Sequence, residues 1–398
     1  MDRAETSPPA ARGTLPLRLY FFASFAALGV FSPFFPRWLV ARGIEGISLG
    51  AVAATMPAMG VLGPPLVGFL ADSLGLRGSL LRVACLGSLV AFVLLAAAGI
   101  GHYRLSFAEI LAVVLLFAVF RAPMLLMADV VAVEGERDGG ASYGTTRLWG
   151  SCGFLVASVA GGRYLDPESA TALPALVAVS LSLALVTALG IPLRSSAVRA
   201  SRSSELRSLI GAEDFTLLLA AAFVAESAIS CHELCFSLYL SDLGASTTLI
   251  GAAWGLGVFV EILVMAAAGP LIARFGAPLL VVLALAATAV RCAVVVTLES
   301  LPALVAVQLV HAPTIALLWT AAISHLKHRA PPRAFATAQG LFSAATGAGA
   351  VIGMLTWGTL YQRVGGRGTF GMAAVVAAIA ALLAFRWAVR ARPPGESG

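Results

Sequence analysis

Ionisable residues inside apolar segments are the part of this sequence most able to do chemistry. Seven of them lie within long hydrophobic stretches: Arg121, Asp129, Arg147, Glu226, Glu233, Glu261 and Arg291. Each ionised group at the centre of a bilayer costs on the order of 3 kcal/mol, so these side chains must pair or line a hydrated cavity. Three cations face four carboxylates, so complete pairing leaves one carboxylate over. Such a carboxylate is suited to bind and release protons.

Glu261 is our first candidate for the proton carrier, because it lies in the middle of its apolar segment. Glu233 is the second candidate. Glu226 precedes Glu233 by seven residues and therefore lies on the same helical face. With Arg291, these residues place the predicted proton handling in the second half of the chain. A plain structural alternative stays open for each carboxylate, namely a static ion pair that fixes helix packing.

Gln308, His311 and Thr314 recur at a spacing of three residues, so they share one face of a helix. A histidine titrates near neutral pH, and His311 could therefore relay protons. Two interpretations of His232 stay open, a ligand and a core side chain whose donor is satisfied.

Residues of the first half predict the binding of an organic ligand. Arg147 could hold a carboxylate or hydroxyl groups through two parallel hydrogen bonds. Trp149 could stack on an aromatic or sugar ring, although a tryptophan near a helix end is as often an anchor at the membrane interface. Both roles of Trp149 stay open at this point.

Long apolar segments hold all of these residues. The chain has 398 residues, of which 59% are hydrophobic and 12% charged, and its mean hydropathy is +0.93. This composition excludes a soluble globular protein. Segments of roughly 20 apolar residues can cross about 30 Å of hydrocarbon as helices. We predict an all-α membrane protein whose twelve transmembrane helices lie at about 17–41, 48–71, 79–100, 105–131, 147–164, 171–193, 214–240, 247–271, 277–298, 302–326, 335–360 and 369–390.

Basic residues predict the orientation of the chain. With the N-terminus in the cytoplasm, 17 of the 26 basic residues lie on the cytoplasmic side and 6 on the other side. We therefore expect both termini in the cytoplasm and the protein in a bacterial cytoplasmic (inner) membrane. The membrane also accounts for the basic pI of about 9.4, so we expect no nucleic-acid partner. Residues 1–16 carry charges and prolines, and the apolar run after them is too long for a signal core, so we expect no cleaved signal peptide.

A loop pattern recurs at half the length of the chain. Gly68–Arg77 closes the second span, and Gly269–Gly276 closes the eighth span 201 residues later. The repeat predicts two pseudo-symmetric halves that alternate access to a central site. The predicted organisation is a cytoplasmic N-terminal tail 1–16, a six-helix bundle 17–193, a cytoplasmic linker 194–212, a second six-helix bundle 213–391 and a cytoplasmic tail 392–398.

Small residues in spans five and eleven form a second echo, at an offset of 196 residues. The paired positions are Gly144, Gly153, Ala157 and Gly162 with Gly340, Gly349, Gly353 and Gly358. Small residues at such spacing let helix backbones approach closely in lipid. The alternative is that glycine and alanine are simply abundant in membrane helices.

The loop after the second span carries a resemblance to a known family. Its residues resemble the signature between helices two and three of the major facilitator superfamily: Gly68, Leu70, Ala71, Asp72, Gly75 and Arg77. The resemblance implies that Asp72 and Arg77 belong to a cytoplasmic gate that rearranges during transport. The second copy has Ala273 in place of the aspartate, so we expect the gating charge mainly in the first half.

Other passages resemble the proton-coupled branch that contains lactose permease and the phenylpropionate permeases: Phe34–Trp38, Tyr143–Ser151, Val290–Arg291, Gln308–His311 and Leu360–Gln362. Asp129 precedes Arg147 by 18 residues, as do the sugar-binding carboxylate and arginine of lactose-type symporters, which implies that both face the central cavity. The phenylpropionate type also implies a glutamate at Glu261. Lactose-type symporters carry the proton on a glutamate where this chain has Thr314, so we expect a relocated carrier.

Together these features predict a secondary transporter that imports a small organic solute (an aromatic acid, a sugar or a nucleoside-like compound) with protons. The alternative is a proton-coupled drug or metabolite efflux antiporter, but Ser151–Gly162 lacks the proline that such proteins usually carry in span five. We do not expect an enzyme or sensor, because the sequence has no nucleophile motif, phosphate loop or metal-ligand cluster. The five cysteines lie in spans, so we expect neither disulfides nor a zinc site. We expect a monomer in the lipid bilayer, without a cofactor and with protons as the coupling ion.

Overall fold

The structure is a computed structural model that describes residues 14–73, 79–166, 168–169, 171–191, 213–329 and 335–391. The predicted linker 194–212 lies outside the described residues, as do most of the two predicted tails. All regular elements in the described ranges are helices. They are α1 Thr14–Val40, α2 Gly46–Ser73, α3 Leu80–Ile100, α4 Phe107–Arg137, α5 Tyr143–Tyr164, α6 Ala172–Leu189, α7 Glu213–Asp242, α8 Thr247–Phe275, α9 Ala277–Thr297, α10 Leu301–Ala306, α11 Gln308–Arg329 and α12 Phe335–Arg390.

Twelve membrane crossings follow from these helices. By length and composition, 10 helical segments of the described chain can cross a membrane, and one of them joins α10 and α11 across Val307. The long helix α12 supplies two crossings, because its 56 residues are interrupted at Gly365 (φ 68°, ψ −178°), a conformation that glycine adopts at no steric cost. The remaining crossing is α5, whose 22 residues include several glycines and polar side chains. The predicted all-α membrane fold is confirmed.

Serine side chains cap several of the helices. In α4 the backbone N–H of Glu109 donates to Ser106 Oγ at 3.3 Å, and the backbone N–H of Ser106 donates to Glu109 Oε2 at 2.7 Å. This reciprocal pair satisfies two backbone donors that the first helical turn leaves without partners. Ser142 and Ser246 accept a backbone hydrogen bond at the starts of α5 and α8. These caps fix where the polar loops end and the apolar helices begin.

The described chain divides into two compact units. The first unit comprises Met1–Phe35 and Leu62–Val198, and the second comprises Pro36–Val61 and Arg199–Gly398. Within the first unit Phe31 stacks on Phe35 with ring centroids 4.4 Å apart, and it also contacts Phe92 and Phe117. Within the second unit a core of alanine, branched aliphatic and aromatic side chains joins α7, α9, α11 and α12.

The same glycine contact occurs once in each unit. A Cβ at Gly153 of α5 would overlap the backbone of Phe22 in α1, and a Cβ at Gly349 of α12 would overlap the backbone of Phe223 in α7. Phe223 follows Phe22 by 201 residues and Gly349 follows Gly153 by 196, which are the two offsets of the sequence repeats. Close backbone approach through glycine stabilises helix pairs in lipid, where packing replaces the hydrophobic effect. The contact supports duplication of one helical module.

The first part of α2 packs within the second unit. A Cβ at Gly50 would meet the backbone of Met354 and Leu355, and a Cβ at Gly46 would meet the side chain of Gln362. The predicted bundles place Pro36–Val61 in the first half, because they are divided at the middle of the chain. The compact units place this segment in the second unit, where the glycine contacts lie. The bundle boundaries at 17–193 and 213–391 stay a prediction.

Gly349→Val is expected to lower the thermal stability of the purified protein, with Gly340→Val as its control. The added side chain at Gly349 has no space against the backbone of Phe223, and overpacking of this kind costs about 1–3 kcal/mol or more. A Cβ at Gly340, on the same helix, has no described atom within 4 Å. Melting curves in detergent measure both variants. Equal shifts in melting temperature would show that the contact between α7 and α12 is not tight.

Candidate functional site

A first polar cluster lies in the first unit. It comprises Tyr20, Arg121, Asp129, Tyr143 and Arg147, from α1, α4 and α5, and we refer to it as the Arg147 cluster. Tyr143 Oη donates a hydrogen bond to Asp129 Oδ1 at 3.1 Å. Asp129 also attracts the guanidinium groups of Arg147 and Arg121 electrostatically. Asp129 and Arg147 therefore interact within this unit, and the expectation that both face the central cavity stays a prediction.

Phe25 of α1 lies against both guanidinium groups. The ring centroid is 3.9 Å from Arg147 Cζ and 5.7 Å from Arg121 Cζ, distances at which a cation is attracted to the ring face. Gly150 makes room for this arrangement, because a Cβ there would come within 2.8 Å of Arg147 Nη1 and 2.9 Å of the Phe25 ring. Sequence reasoning missed Phe25, since a phenylalanine in an apolar span gives no signal that separates it from the core.

Tyr20 and Arg121 are the most buried members of the Arg147 cluster. Tyr20 is 1% exposed and its hydroxyl donates to the Met124 carbonyl at 3.1 Å. Arg121 is 6% exposed, and its Nε has no hydrogen-bond partner among the described residues. A buried donor without a partner carries the full cost of its desolvation. The cluster therefore contains a cation with unused hydrogen-bonding capacity.

Trp149 is not part of this cluster. It is 39% exposed, and the rings that lie against Arg147 are those of Phe25 and Phe21. An exposed tryptophan near the start of α5 agrees with the interfacial-anchor alternative. A stacking role for Trp149 stays a prediction.

A second polar cluster lies in the second unit. It comprises His232 of α7, Arg291 of α9, and Gln308, His311 and Thr314 of α11, and we refer to it as the Arg291 cluster. All five side chains are buried, and Arg291 is only 2% exposed. The rings of His232 and His311 lie with centroids 4.3 Å apart. Thus the face predicted for α11 is formed, and it contacts a histidine of α7.

The Arg291 cluster has many polar atoms without partners. Buried nitrogens that lack a hydrogen bond to any described residue are His232 Nδ1, Arg291 Nε and Nη2, Gln308 Nε2 and His311 Nδ1. Most buried polar atoms in proteins are hydrogen-bonded, so such a concentration requires an explanation. A site that exchanges ligands or protons supplies one. Within the described ranges no group of three or more His, Cys, Asp or Glu side chains could hold a metal ion.

Two glutamates of α7 belong to the same region. Glu233 and Arg291 attract each other electrostatically, and Glu226 interacts with Glu233. Glu226 Oε2 is buried and has no hydrogen-bond partner in the described part of the chain. The structure therefore brings together four of the residues predicted to handle protons, namely Glu226, Glu233, Arg291 and His311.

Glu261 lies on α8, one turn beyond the place where this helix approaches α11. A Cβ at Gly257 would lie 3.3 Å from His311 Cδ2 and 3.6 Å from Gln308 Oε1. Glu261 follows Gly257 by four residues and therefore shares its helical face. The glutamate is half-buried and interacts with neighbouring groups. Its position on this face fits the predicted role.

The predicted gate is described only in part. Gly68 and Asp72 belong to the last turns of α2, which ends at Ser73. Gly75 and Arg77 lie outside the described residues. The gating role of all four residues stays a prediction.

The chain has many membrane-crossing helices, and each unit contains a buried cluster of charged and polar side chains. Together these features define a multi-pass membrane transport protein. The chain belongs to the MFS_1-like family, whose sequence model matches residues 15–372. The resemblance to the major facilitator superfamily is thereby confirmed.

Two curated relatives extend over most of the chain. It is 29% identical over 361 residues to the maltose permease of Geobacillus stearothermophilus, an alignment that covers 89% of each protein. It is 25% identical over 369 residues to the probable 3-phenylpropionic acid transporter of Escherichia coli (strain K12), which covers 91% of this chain and 94% of that protein.

Solved structures show the same fold. A mutant of the nucleoside transporter NupG superposes with a TM-score of 0.83 at 16% identity, over 94% of this chain and 99% of that chain. A bacterial homologue of the human lysosomal transporter Spinster superposes with a TM-score of 0.71 at 14% identity, over 98% and 100% of the two chains. At these identities the likeness concerns the fold alone.

Proposed function

We propose that this protein is a secondary transporter that imports a small organic solute together with protons by alternating access. The Arg291 cluster carries the proposal, because a buried arginine, two histidines with ring centroids 4.3 Å apart and the nearby Glu226 all have buried atoms without a hydrogen-bond partner among the described residues. Ionisable residues inside membrane spans are costly and commonly mark substrate and proton pathways. Duplicated helical modules with midplane sites are the architecture in which rigid halves alternate access.

The Arg147 cluster is the proposed solute site. The planar guanidinium of Arg147 matches carboxylates and paired hydroxyls, while Asp129 and Tyr143 add an acceptor and a hydroxyl. Relatives named for maltose and 3-phenylpropionic acid, and a structural neighbour named for nucleosides, support a small organic solute. Trp149 remains a proposed contact at the edge of this site.

The proposed proton carrier is Glu261, with Glu233 as the second candidate. Arg291 attracts Glu233, so the uptake of a proton by this carboxylate would weaken that attraction. His311 lies beside the α8 face that bears Glu261 and could pass the proton on. Glu226 completes the group as the electrostatic neighbour of Glu233. Proton binding and helix packing are thereby coupled.

The remaining assignments complete the proposal. Gly68, Asp72, Gly75 and Arg77 form the cytoplasmic gate. The protein functions as a monomer in the cytoplasmic (inner) membrane of a bacterium. Both termini lie in the cytoplasm, an orientation that the distribution of basic residues supports.

Proteoliposomes test the coupling directly. Purified protein is reconstituted, the outside is made acidic, and uptake of radiolabelled 3-phenylpropionate, maltose and uridine is followed. A symporter accumulates its solute inside, and a protonophore abolishes the accumulation. Solute expelled by the same gradient would indicate an antiporter. Equal uptake with and without the gradient would contradict proton coupling.

A further inference from the structure

The charges of the Arg147 cluster do not balance. Arg121 and Arg147 are cations, whereas Asp129 is the carboxylate with which both of them interact. The other titratable neighbours of Arg121 are Tyr20 and Cys85, which are neutral in the pH range where these cations and this carboxylate are charged. Within the described residues the cluster thus carries one positive charge in excess.

Geometry concentrates this excess at one place. Both guanidinium groups lie against the ring of Phe25, at 3.9 Å for Arg147 and 5.7 Å for Arg121. Asp129 already accepts a hydrogen bond from the hydroxyl of Tyr143. Arg121 is more than nine-tenths buried, and no described residue accepts a hydrogen bond from its Nε. A desolvated cation of this kind requires an anion, because a buried charge is tolerated only when it is paired.

We propose that the solute is an organic monoanion whose carboxylate binds the guanidinium groups of Arg121 and Arg147. This inference rests on the proposed function, and it narrows the solute class to acids. One negative charge makes the cluster neutral, whereas a neutral sugar or nucleoside leaves the excess charge buried. Phe25 is half-buried and its ring lies against both guanidinium groups, so it is the proposed contact for an apolar body attached to the carboxylate.

Matched acids and amides test the inference, because they differ in charge and hardly in shape. Thermal shifts of the purified full-length protein are measured with 3-phenylpropionate, benzoate and hexanoate, with their amides, and with maltose and uridine. At least one acid is expected to bind roughly 30-fold more tightly than its amide, as for a charge pair shielded from water. Equal binding of acid and amide, preferential binding of maltose or uridine, or no binding of any acid at millimolar concentration would overturn the inference.

A charge-balance series separates electrostatics from packing. Arg121→Gln leaves Arg147 and Asp129 in balance, so the preference for acid over amide is expected to disappear. Adding Asp129→Asn leaves Arg147 with one excess positive charge, and the preference is expected to return. A merely structural role of Arg121 would not be rescued in this way. If the double variant shows no preference, or Arg121→Gln keeps the full preference, the inference fails.

Two controls keep the series interpretable. Arg121→Lys retains the charge and is expected to retain a preference for acids. Arg163→Gln removes an exposed arginine at the end of α5 and is expected to behave like the original protein. If Arg121→Gln does not fold, the comparison of acids with amides on the unmodified protein still decides the question.

The two proposals can fail separately. Proton-driven accumulation of maltose or uridine would support symport and overturn the inference about anions. Selective binding of acids without any uptake driven by a proton gradient would support the inference and contradict symport.

Discussion

Arg147→Ala is expected to weaken solute binding by roughly 100-fold, the equivalent of about 3 kcal/mol for a desolvated charge that loses its partner. The guanidinium lies 3.9 Å from the Phe25 ring and attracts Asp129, so it joins the aromatic and the acidic parts of the Arg147 cluster. Its loss removes the group that can hold a carboxylate through two parallel hydrogen bonds.

Titrations of thermal stability with the acids that bind the original protein measure this effect. Arg147→Lys is the informative intermediate, because it keeps a positive charge but loses the planar fork, and we expect a loss of roughly 10-fold. Arg163→Ala, an exposed position on the same helix, is the matched control. Unchanged affinity in Arg147→Ala would show that this residue does not bind the solute and would favour the Arg291 cluster as the solute site.

Hydropathy predicted most of the helix positions closely. The predicted spans 79–100 and 277–298 correspond to Leu80–Ile100 and Ala277–Thr297. Apolar segments succeed as predictors because the thickness of the hydrocarbon fixes how long a crossing helix must be. They carry no information about a break inside a single crossing, so the interruption at Val307 was not predicted. The gap between the predicted spans 335–360 and 369–390 contains Gly365, and in the structure it is a local break in one long helix. The predicted span 147–164 corresponds to Tyr143–Tyr164, although glycines and polar side chains make this helix less apolar than most of the others.

The candidate sites were predictable only where charge made them visible. Ionisable residues in apolar spans are rare, so Arg121, Arg147 and Arg291 were recognised at once. Their aromatic partners were not, because Tyr20 and Phe25 look like any other residue of an apolar helix. The contact between the rings of His232 and His311 depends on how α7 packs against α11. Local sequence does not determine which helices are neighbours in space. It also does not determine how α5 is rotated about its axis, and this rotation exposes Trp149.

The two units share one close helix contact and differ in charge. Gly153 and Gly349 make equivalent close contacts, which supports a common helical module. The Arg147 cluster has an excess of cations, whereas the spans of the second unit combine one arginine with three glutamates: Arg291, Glu226, Glu233 and Glu261. This contact is therefore repeated, whereas the charged side chains differ between the units. An excess of cations suits an anionic solute, and an excess of carboxylates suits protons.

Glu261→Gln is the second large effect that we expect. The amide keeps the size of the side chain but cannot exchange a proton, so accumulation driven by a pH gradient should fall to the level of empty liposomes. Exchange of labelled for unlabelled solute requires no net proton movement, and it should continue. Glu261 lies one turn after Gly257, where α8 approaches His311, so the change acts beside the Arg291 cluster. Accumulation that survives in this variant would show that another carboxylate, with Glu233 first in line, carries the proton.

Glu299→Gln is the control for this experiment. Glu299 lies in the loop between α9 and α10, where Arg367 Nη2 donates to its Oε1 at 2.6 Å, and this guanidinium holds the pKa of Glu299 below its usual value. The pair is therefore present above the ordinary pKa of a glutamate and is lost only as the pH falls through the lowered pKa. Such a carboxylate stays ionised at neutral pH and cannot carry protons there. Because Glu299→Gln removes a carboxylate without removing a proton exchanger, gradient-driven accumulation should be unchanged, and its loss in both variants would indicate a general defect.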